Sequence, residues 1–240
     1  MKKRFLAVLA FGIFCMGAVD VAGAGSVSVI YMDGTIQATS GIANFSTYGD
    51  MMNGMKVVAT FGDDTTETLF WGTTGAFTGG VTGTGWSLSL NGNSFTTDWD
   101  LTTTSATIKS FYIDAGLGDT VFDTVFSPEA SPGSELGEAF DFDSANSPWN
   151  ITATYENIVS VGGIIYNDLY RNLNVEFTNS GYFAPIVGAA APVILNFSAD
   201  TDNLAIPDDL TPIPEPVTML LFGTGLVGMA ATARRRKAIQ

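Results

Sequence analysis

Apolar and polar side chains alternate with a period of two residues along much of this chain, and this period constrains its fold most strongly. In residues 86–90, Trp86, Leu88 and Leu90 alternate with serines. The same period recurs in residues 26–31, 108–113, 151–155, 173–177 and 193–197. Successive side chains of a β-strand point to opposite faces, so the pattern is typical of strands with one buried face. The chain is therefore predicted to be mainly β.

Segments rich in Gly, Asn, Asp and Thr separate these strands, at residues 72–85, 91–93, 116–118 and 127–133. Asn91 and Gly92 tolerate the positive φ angles of a type I′ turn, so they predict a hairpin. The low-complexity residues 65–85 predict a long loop or an edge region, and residues 164–172 a turn or two of helix. Short, regularly spaced strands favour a single antiparallel β-sandwich over residues 25–206, with a jelly roll among its arrangements. A β-barrel and a β-solenoid are the alternatives.

The N-terminus has the pattern of a secretory signal peptide. Lys2, Lys3 and Arg4 precede the apolar residues 5–19, and Ala22 and Ala24 flank Gly23 in the small-x-small pattern of a cleavage site. We expect residues 1–24 to form a signal helix that signal peptidase removes after Ala24. The single cysteine, Cys15, lies inside this segment, so the exported body has none and forms no disulfide.

The C-terminus combines a proline-rich linker, an apolar run and a basic end. Residues 207–216 contain four prolines and predict a stiff, extended linker. Residues 217–233 carry no charge over 17 positions, and as a helix they would reach roughly 26 Å, at the short limit for a bilayer. We predict a transmembrane helix there, with residues 234–240 as a basic cytoplasmic tail. The stop signal consists of Arg234, Arg235, Arg236 and Lys237.

Residues 213–237 resemble the PEP-CTERM class of bacterial sorting signals. The resemblance rests on Pro214, Glu215 and Pro216, followed by a short hydrophobic helix and an Arg-rich end, in a chain that begins with a signal peptide. It implies that an exosortase recognises Pro214 to Pro216 and cleaves near them while the helix holds the chain in the inner membrane. The body would then lie outside the cytoplasm and reach the cell surface or the extracellular space. The resemblance implies nothing about the activity of the body.

The part of the chain between the two ends is strongly acidic. Residues 25–213 keep only Lys56, Lys109 and Arg171 of the ten cations but 22 of the 24 acids, a net charge of about −19. Such a field repels nucleic acid and anionic lipid, which excludes binding to a phosphate backbone, and it attracts divalent cations or cationic polymers. The alternative explanation of the charge is solubility.

The absence of histidine from the sequence excludes several kinds of chemistry. Ser-His-Asp and Cys-His catalysis and imidazole zinc sites all need this residue. Carboxylate chemistry remains, most plausibly that of a glycosidase with two acids about 5–10 Å apart. Since 22 acids will form such pairs by chance, no residue is predicted to be catalytic, and the chain is predicted not to be an enzyme.

Carboxylates in loops are candidate calcium ligands, although the sequence predicts no other cofactor. Asp141 and Asp143 begin like an EF-hand loop, but Ala145 stands where an oxygen ligand is needed. The further candidates are Asp200 and Asp202, with Asp114 and Asp119. The competing interpretation is that these acids are solvated turn residues.

Tryptophans are the remaining functional signal. Trp71, Trp86, Trp99 and Trp149 could form a platform on which sugar rings stack, or they could fill the core, as the phase of Trp86 indicates. Three functions follow. The leading one is a non-catalytic envelope or extracellular-matrix protein. The others are a carbohydrate-binding module that takes extracellular polysaccharide and a glycan-active enzyme.

Overall fold

A computed structural model describes residues 25–125, 136–178, 182–185 and 192–205. Within these residues the chain forms β-strands and three short 3-10 segments but no α-helix, so the prediction of a mainly β protein is confirmed. The strands are β1 (Ser26–Met32), β2 (Gln37–Thr39), β3 (Ile42–Asn44), β4 (Lys56–Phe61), β5 (Thr66–Phe70), β6 (Gly72–Gly75), β7 (Thr78–Thr82), β8 (Trp86–Asn91), β9 (Trp99–Thr103), β10 (Ile108–Asp114), β11 (Thr120–Asp123), β12 (Asn150–Val161), β13 (Ile164–Thr178), β14 (Val193–Phe197) and β15 (Asp200–Leu204). The 3-10 segments are Gly49–Met51, Ala115–Gly118 and Ser144–Asn146. The predicted signal helix and transmembrane helix lie outside the described residues.

The strands form two sheets. The smaller is antiparallel, in the order β14-β9-β8-β7-β6. The larger runs β3-β15-β11-β13-β10-β4-β5, and β12 pairs with β13 along almost its whole length. It departs from a purely antiparallel sheet where β1 and β2 lie parallel to β12. β10 and β11 lie end to end along β13, since the 3-10 segment Ala115–Gly118 interrupts what would otherwise be one strand.

The main hydrophobic core lies between the two sheets. In the smaller sheet Trp86, Leu88 and Leu90 are buried, as their alternation predicts. The ring of Phe111, from the larger sheet, lies 5.7 Å from that of Phe197, from the smaller one. Burial of each such side chain stabilises the fold by about 1.5–3 kcal/mol. The sheets therefore share one aromatic-rich interior, which we call the sandwich core.

At one end the larger sheet curls into a half-barrel. β2 pairs with β12 and β3 pairs with β15, although only two residues separate β2 from β3. Val121, Val159, Leu169 and Leu204 come from four different strands of this curl and form a second buried cluster. Because side chains from both edges of the curl contact one another, the cluster lies on its concave face.

Two local predictions, of helical turns and of a hairpin turn, are wrong because strand pairing overrides local propensity. A third prediction is confirmed in one of its two alternatives: residues 65–85 contain β5, β6 and β7, and β5 and β6 are edge strands rather than parts of a long loop. The glycines serve close packing here: a Cβ on Gly79 would lie 2.0 Å from the Gly49 carbonyl oxygen and 2.2 Å from Trp71 Nε1. The helical turns predicted for residues 164–172 are part of β13.

The other error concerns the hairpin turn. Asn91 remains in β8, paired with Thr78, and a connection of residues 92–98 joins β8 to β9. A two-residue turn with two positive φ angles occurs instead at Gly162 (59°) and Gly163 (84°), between the paired residues Val161 and Ile164. These are the angles of a type I′ turn, so the turn type was foreseen at the wrong place.

Candidate functional site

The predicted sorting and processing residues lie outside the described part of the chain. They are Ala22 and Ala24, Pro214, Glu215 and Pro216, and Arg234, Arg235, Arg236 and Lys237. Among the described residues, no helix has the length and apolar character to cross a membrane. The chain leaves the described body at Ala205, whose backbone N–H donates a hydrogen bond to the Gly41 carbonyl oxygen in the half-barrel.

Two of the predicted calcium ligands come together with a third acid that the sequence did not single out. Asp200 and Asp202 are two residues apart on β15, so they share a face of the sheet. Asp123 on β11 stands directly opposite Asp200 in the antiparallel register. One carboxylate oxygen from each residue lies within 4.8 Å of the others, and each residue is only 1% exposed. We call these three residues the acidic cluster.

The environment of Asp200 favours its neutral form. The Ser94 hydroxyl donates a hydrogen bond to Asp200 Oδ1 at 2.7 Å, and the Thr201 N–H donates another to the same oxygen at 2.8 Å. Burial nevertheless raises the pKa of Asp200 to about 7, and the charges of Asp123 and Glu138 contribute to the rise. Asp200 therefore keeps its proton in mildly acidic solution.

The electrostatic repulsion within the acidic cluster can be relieved by protonation or by a bound cation. A carboxyl group can take up a proton and share it with its neighbours by hydrogen bonding, and burial, which raises the pKa of Asp200, favours this protonation. Alternatively, the carboxylate oxygens can hold a hard cation. Calcium takes six to eight oxygens, and the cluster supplies three carboxylates. Counted as one oxygen from each residue, the three carboxylates leave a calcium ion in need of further oxygens, whereas protonation of Asp200 needs none. Gly137 packs against the cluster, since a Cβ there would lie 2.0 Å from Asp123 Oδ1.

The other calcium candidates lie elsewhere. Asp141 and Asp143 are exposed and line a polar cleft of about 520 Å³, together with Asp98 and Glu138. Asp141 exchanges two backbone hydrogen bonds with Ser198, which fixes this segment against the end of β14. The predicted EF-hand-like start is therefore one wall of an open cleft.

Asp114 and Asp119 do not join either group in the described structure. Asp114 accepts a hydrogen bond from Arg171 Nε at 2.8 Å in a buried ion pair, and Lys56 Nζ lies 3.9 Å from its other oxygen. Asp119 follows the 3-10 segment in the left-handed conformation, with φ 54°. Asp114 thus ties β10 to β13, which is a structural task.

The tryptophans fill the core. Trp71, Trp86 and Trp99 are at most 3% exposed, and Trp149 packs edge-on against Phe183 at 5.2 Å. Each of the three buried indoles donates its N–H to an oxygen: Trp71 to Gly49, Trp99 to Ala199 and Trp86 to the carboxylate of Glu67. Such satisfied, buried rings are typical of a core, so these three residues form no platform for sugars.

A second cleft carries an exposed aromatic ring that the sequence reasoning missed. It measures about 580 Å³ and is lined by Phe61, Asp63, Thr65 and Tyr182, among others. The Tyr182 ring lies over Gly62, where a Cβ would be 3.3 Å from it, and the residue is 46% exposed. We call this the aromatic cleft. Tyr182 belongs to none of the alternating segments, so periodicity gave no signal for it.

Comparison with known proteins identifies the tail. A family model described as the PEP-CTERM protein-sorting motif matches residues 212–237. The C-terminal tail of this chain is therefore a PEP-CTERM sorting motif, and the resemblance of residues 213–237 is confirmed. No curated protein and no solved structure matches the chain.

Proposed function

We propose that this chain is an exported, non-catalytic protein of the bacterial envelope or extracellular matrix, sorted through its tail by an exosortase. The match of the PEP-CTERM motif to residues 212–237 carries the proposal. The arrangement of the chain supports it, since the last strand of the body ends at Leu204 and the motif begins a few residues further on. Seven residues of sequence thus separate the last described strand from the start of the motif.

The parts of the chain act in sequence under this proposal. Signal peptidase cleaves after Ala24, and residues 217–233 hold the chain in the inner membrane with the body outside. The exosortase then recognises Pro214, Glu215 and Pro216, where the prolines keep the backbone extended and accessible. The acidic body is released or attached at the surface, where its charge keeps it dispersed and attracts cationic groups of the surrounding polymer.

Substitution of the recognition residues tests the sorting step. Replacing Pro214, Glu215 and Pro216 by alanine leaves the apolar run intact, so the protein should remain in the inner membrane at its unprocessed mass. The matched control replaces Pro207, Asp208 and Asp209 of the linker by alanine; these residues precede the matched motif, so this variant should be processed normally. Cell fractionation with mass spectrometry gives the result. Normal processing of the triple variant would show that the tripeptide is not the recognition element.

A second candidate function, carbohydrate binding, is favoured by the aromatic cleft. An exposed ring beside a carboxylate and hydroxyl groups supplies both the stacking surface and the hydrogen bonds that sugars need. Affinity electrophoresis in gels containing matrix polysaccharide provides the test. Tyr182→Ala should lose any retardation, whereas Phe77→Ala, which removes another exposed ring, should keep it. Equal retardation of both variants would remove the cleft from consideration, and hydrolysis of the polysaccharide would support the glycan-active enzyme instead.

A further inference from the structure

The half-barrel end of this acidic protein has long stretches without charge. Residues 34–49, which include β2 and β3, contain no Asp, Glu, Lys or Arg, and neither do residues 157–167 at the turn between β12 and β13. Asp33 and Asp50 bound the first stretch, and Glu156 and Asp168 bound the second. Stretches without acids weaken the repulsion between this end of the body and an anionic bilayer.

The turn between β12 and β13 projects from this end and carries apolar side chains. A Cβ on Gly162 or on Gly163 would meet no atom within 4 Å, so the turn stands in open space. Ile164 and Ile165 are 58% and 44% exposed, although adjacent residues of a strand point to opposite faces. Both faces of the hairpin are thus uncovered. Ile36, in the segment that leads into β2, is 53% exposed, and since Gln37 pairs with Val159 it lies about 10 Å back from the turn along β12. We call these three isoleucines the apolar tip.

The chain leaves the body beside this tip. Gly162 N–H donates a hydrogen bond to the Thr39 carbonyl oxygen, and Ala205 N–H donates one to the Gly41 carbonyl oxygen, both at 2.9 Å. Because Thr39 and Gly41 are two residues apart, the turn and Ala205 lie within about 17 Å of each other. The linker of residues 206–216 spans at most about 40 Å, so this end of the body stays close to whatever holds residues 217–233.

We propose that the apolar tip contacts the lipid of the inner membrane while the tail anchors the chain, so that the body rests on the bilayer by its half-barrel end. This inference rests on the proposed function, since it needs the tail to be held in the membrane. Three exposed isoleucines supply a weak apolar contact, and the tether makes it effective because it keeps the local concentration of lipid high. The contact orients the body on the bilayer, beside Pro214 to Pro216, which the anchor at residues 217–233 keeps at the membrane surface.

Site-specific fluorescence quenching tests the contact. The exported chain has no cysteine, so Ile164→Cys gives a single labelling site in residues 25–240. The labelled protein is reconstituted through its tail into vesicles of phosphatidylethanolamine and phosphatidylglycerol that contain nitroxide-labelled lipid. Tyr182→Cys is the matched control, because Tyr182 is 46% exposed and pairs through Phe183 with Ile108. Ser110 of β10 pairs with Glu176, near the C-terminal end of β13, and Ile108 lies just before Ser110. This end of β13 is about 45 Å along the strand from Ile164, so position 182 lies far from the apolar tip.

We expect lipid quenching at position 164 to be at least twice that at position 182, and Ile165→Asp in the same chain to reduce it to the control value. Ile165 is exposed, so this substitution leaves the core intact. If vesicle flotation shows that the tail is anchored but lipid quenching is equal at positions 164 and 182, or absent at both, the inference is overturned. Shielding of position 164 from a water-soluble quencher without lipid quenching means that protein covers the tip, and this also overturns it. If the protein does not float with the vesicles, the membrane anchor itself fails, and the proposed function fails with it.

Discussion

The larger sheet contributes to both the sandwich core and the half-barrel, but the two regions are stabilised by different interactions. The sandwich core joins two sheets through large rings, with Trp71, Trp99 and Phe111 at most 1% exposed. The half-barrel encloses four small aliphatic side chains and has buried carboxylates on two of its strands. Apolar burial stabilises a fold over a wide pH range, whereas buried carboxylates make stability depend on protons or ions. The difference indicates that the sandwich core contributes most of the free energy of unfolding. The half-barrel is the region whose stability depends on pH and on ions.

The largest effect should come from the sandwich core. Trp99→Ala removes a fully buried ring that lies 5.2 Å from Trp71 and 6.0 Å from Phe197, and should cost about 3–5 kcal/mol of the free energy of unfolding. Leu169→Ala in the half-barrel should cost about 2–3 kcal/mol, since it removes fewer atoms from a smaller cluster. Urea unfolding followed by circular dichroism measures both. A larger loss for Leu169→Ala would reverse the comparison.

The buried ion pair beside the half-barrel should come next. Arg171→Met removes a side chain whose Nε lies 2.8 Å from Asp114 and leaves that carboxylate buried, at a cost of about 3 kcal/mol. Lys109→Met is the control, because it breaks the exposed pair with Asp64 and should leave the unfolding midpoint almost unchanged. Equal shifts for the two variants would mean that burial does not separate these pairs.

The pH dependence of stability should reside in the acidic cluster. An aspartate in the unfolded chain has a pKa near 3.9, whereas burial raises the pKa of Asp200 to about 7. Between these values the folded state holds a proton that the unfolded state lacks, so stability falls as the pH rises from about 4 to 7 and then levels off. In the presence of a chelator, Asp200→Asn should remove on the order of 2 kcal/mol from the difference between pH 5 and pH 8. An unchanged pH profile would show that Asp200 does not carry this dependence.

Addition of calcium distinguishes protonation of the acidic cluster from binding of a cation. A bound ion stabilises the folded state, so a calcium site would raise the thermal midpoint of the wild type at pH 8 and not that of Asp200→Asn. Since the cluster supplies only three carboxylates, we expect millimolar calcium to leave both midpoints unchanged. A rise in the wild type alone would contradict proton sharing.

The smallest effect should come from the turn between β12 and β13. Gly162 has φ 59° in open space, so Gly162→Ala adds backbone strain without a clash and should cost about 1 kcal/mol. Gly162→Asn is the control, because asparagine tolerates the left-handed region and should cost less. Thermal unfolding measures both variants. An equal cost would mean that backbone conformation does not determine the stability of this turn.

The same contrast explains which elements could be predicted from the sequence. The strands at residues 86–90 and 193–197 alternate regularly because one face packs on the sandwich core and the other meets solvent. In the half-barrel end the larger sheet buries both faces of a strand, so residues 168–173 of β13 are all buried and the alternation disappears. The prediction of helix for residues 164–172 failed for this reason.

The candidate sites follow a similar rule. The sorting tail could be predicted because the PEP-CTERM motif is defined by local sequence, whereas the acidic cluster depends on the pairing of β11 with β15. Val121, two residues before Asp123, shares its face of β11, and this spacing was a signal that the carboxylate is buried. Nothing local, however, indicates that it faces Asp200, 77 positions further along the chain.

The C-terminus of the protein at its final location tests the central claim, that a sorting tail delivers a separate acidic β body. Mass spectrometry of the surface or extracellular form should find a chain that begins after Ala24 and ends near Pro214 to Pro216, without residues 217–233. Recovery from that fraction of a chain that still carries Arg234 to Lys237 would contradict the claim.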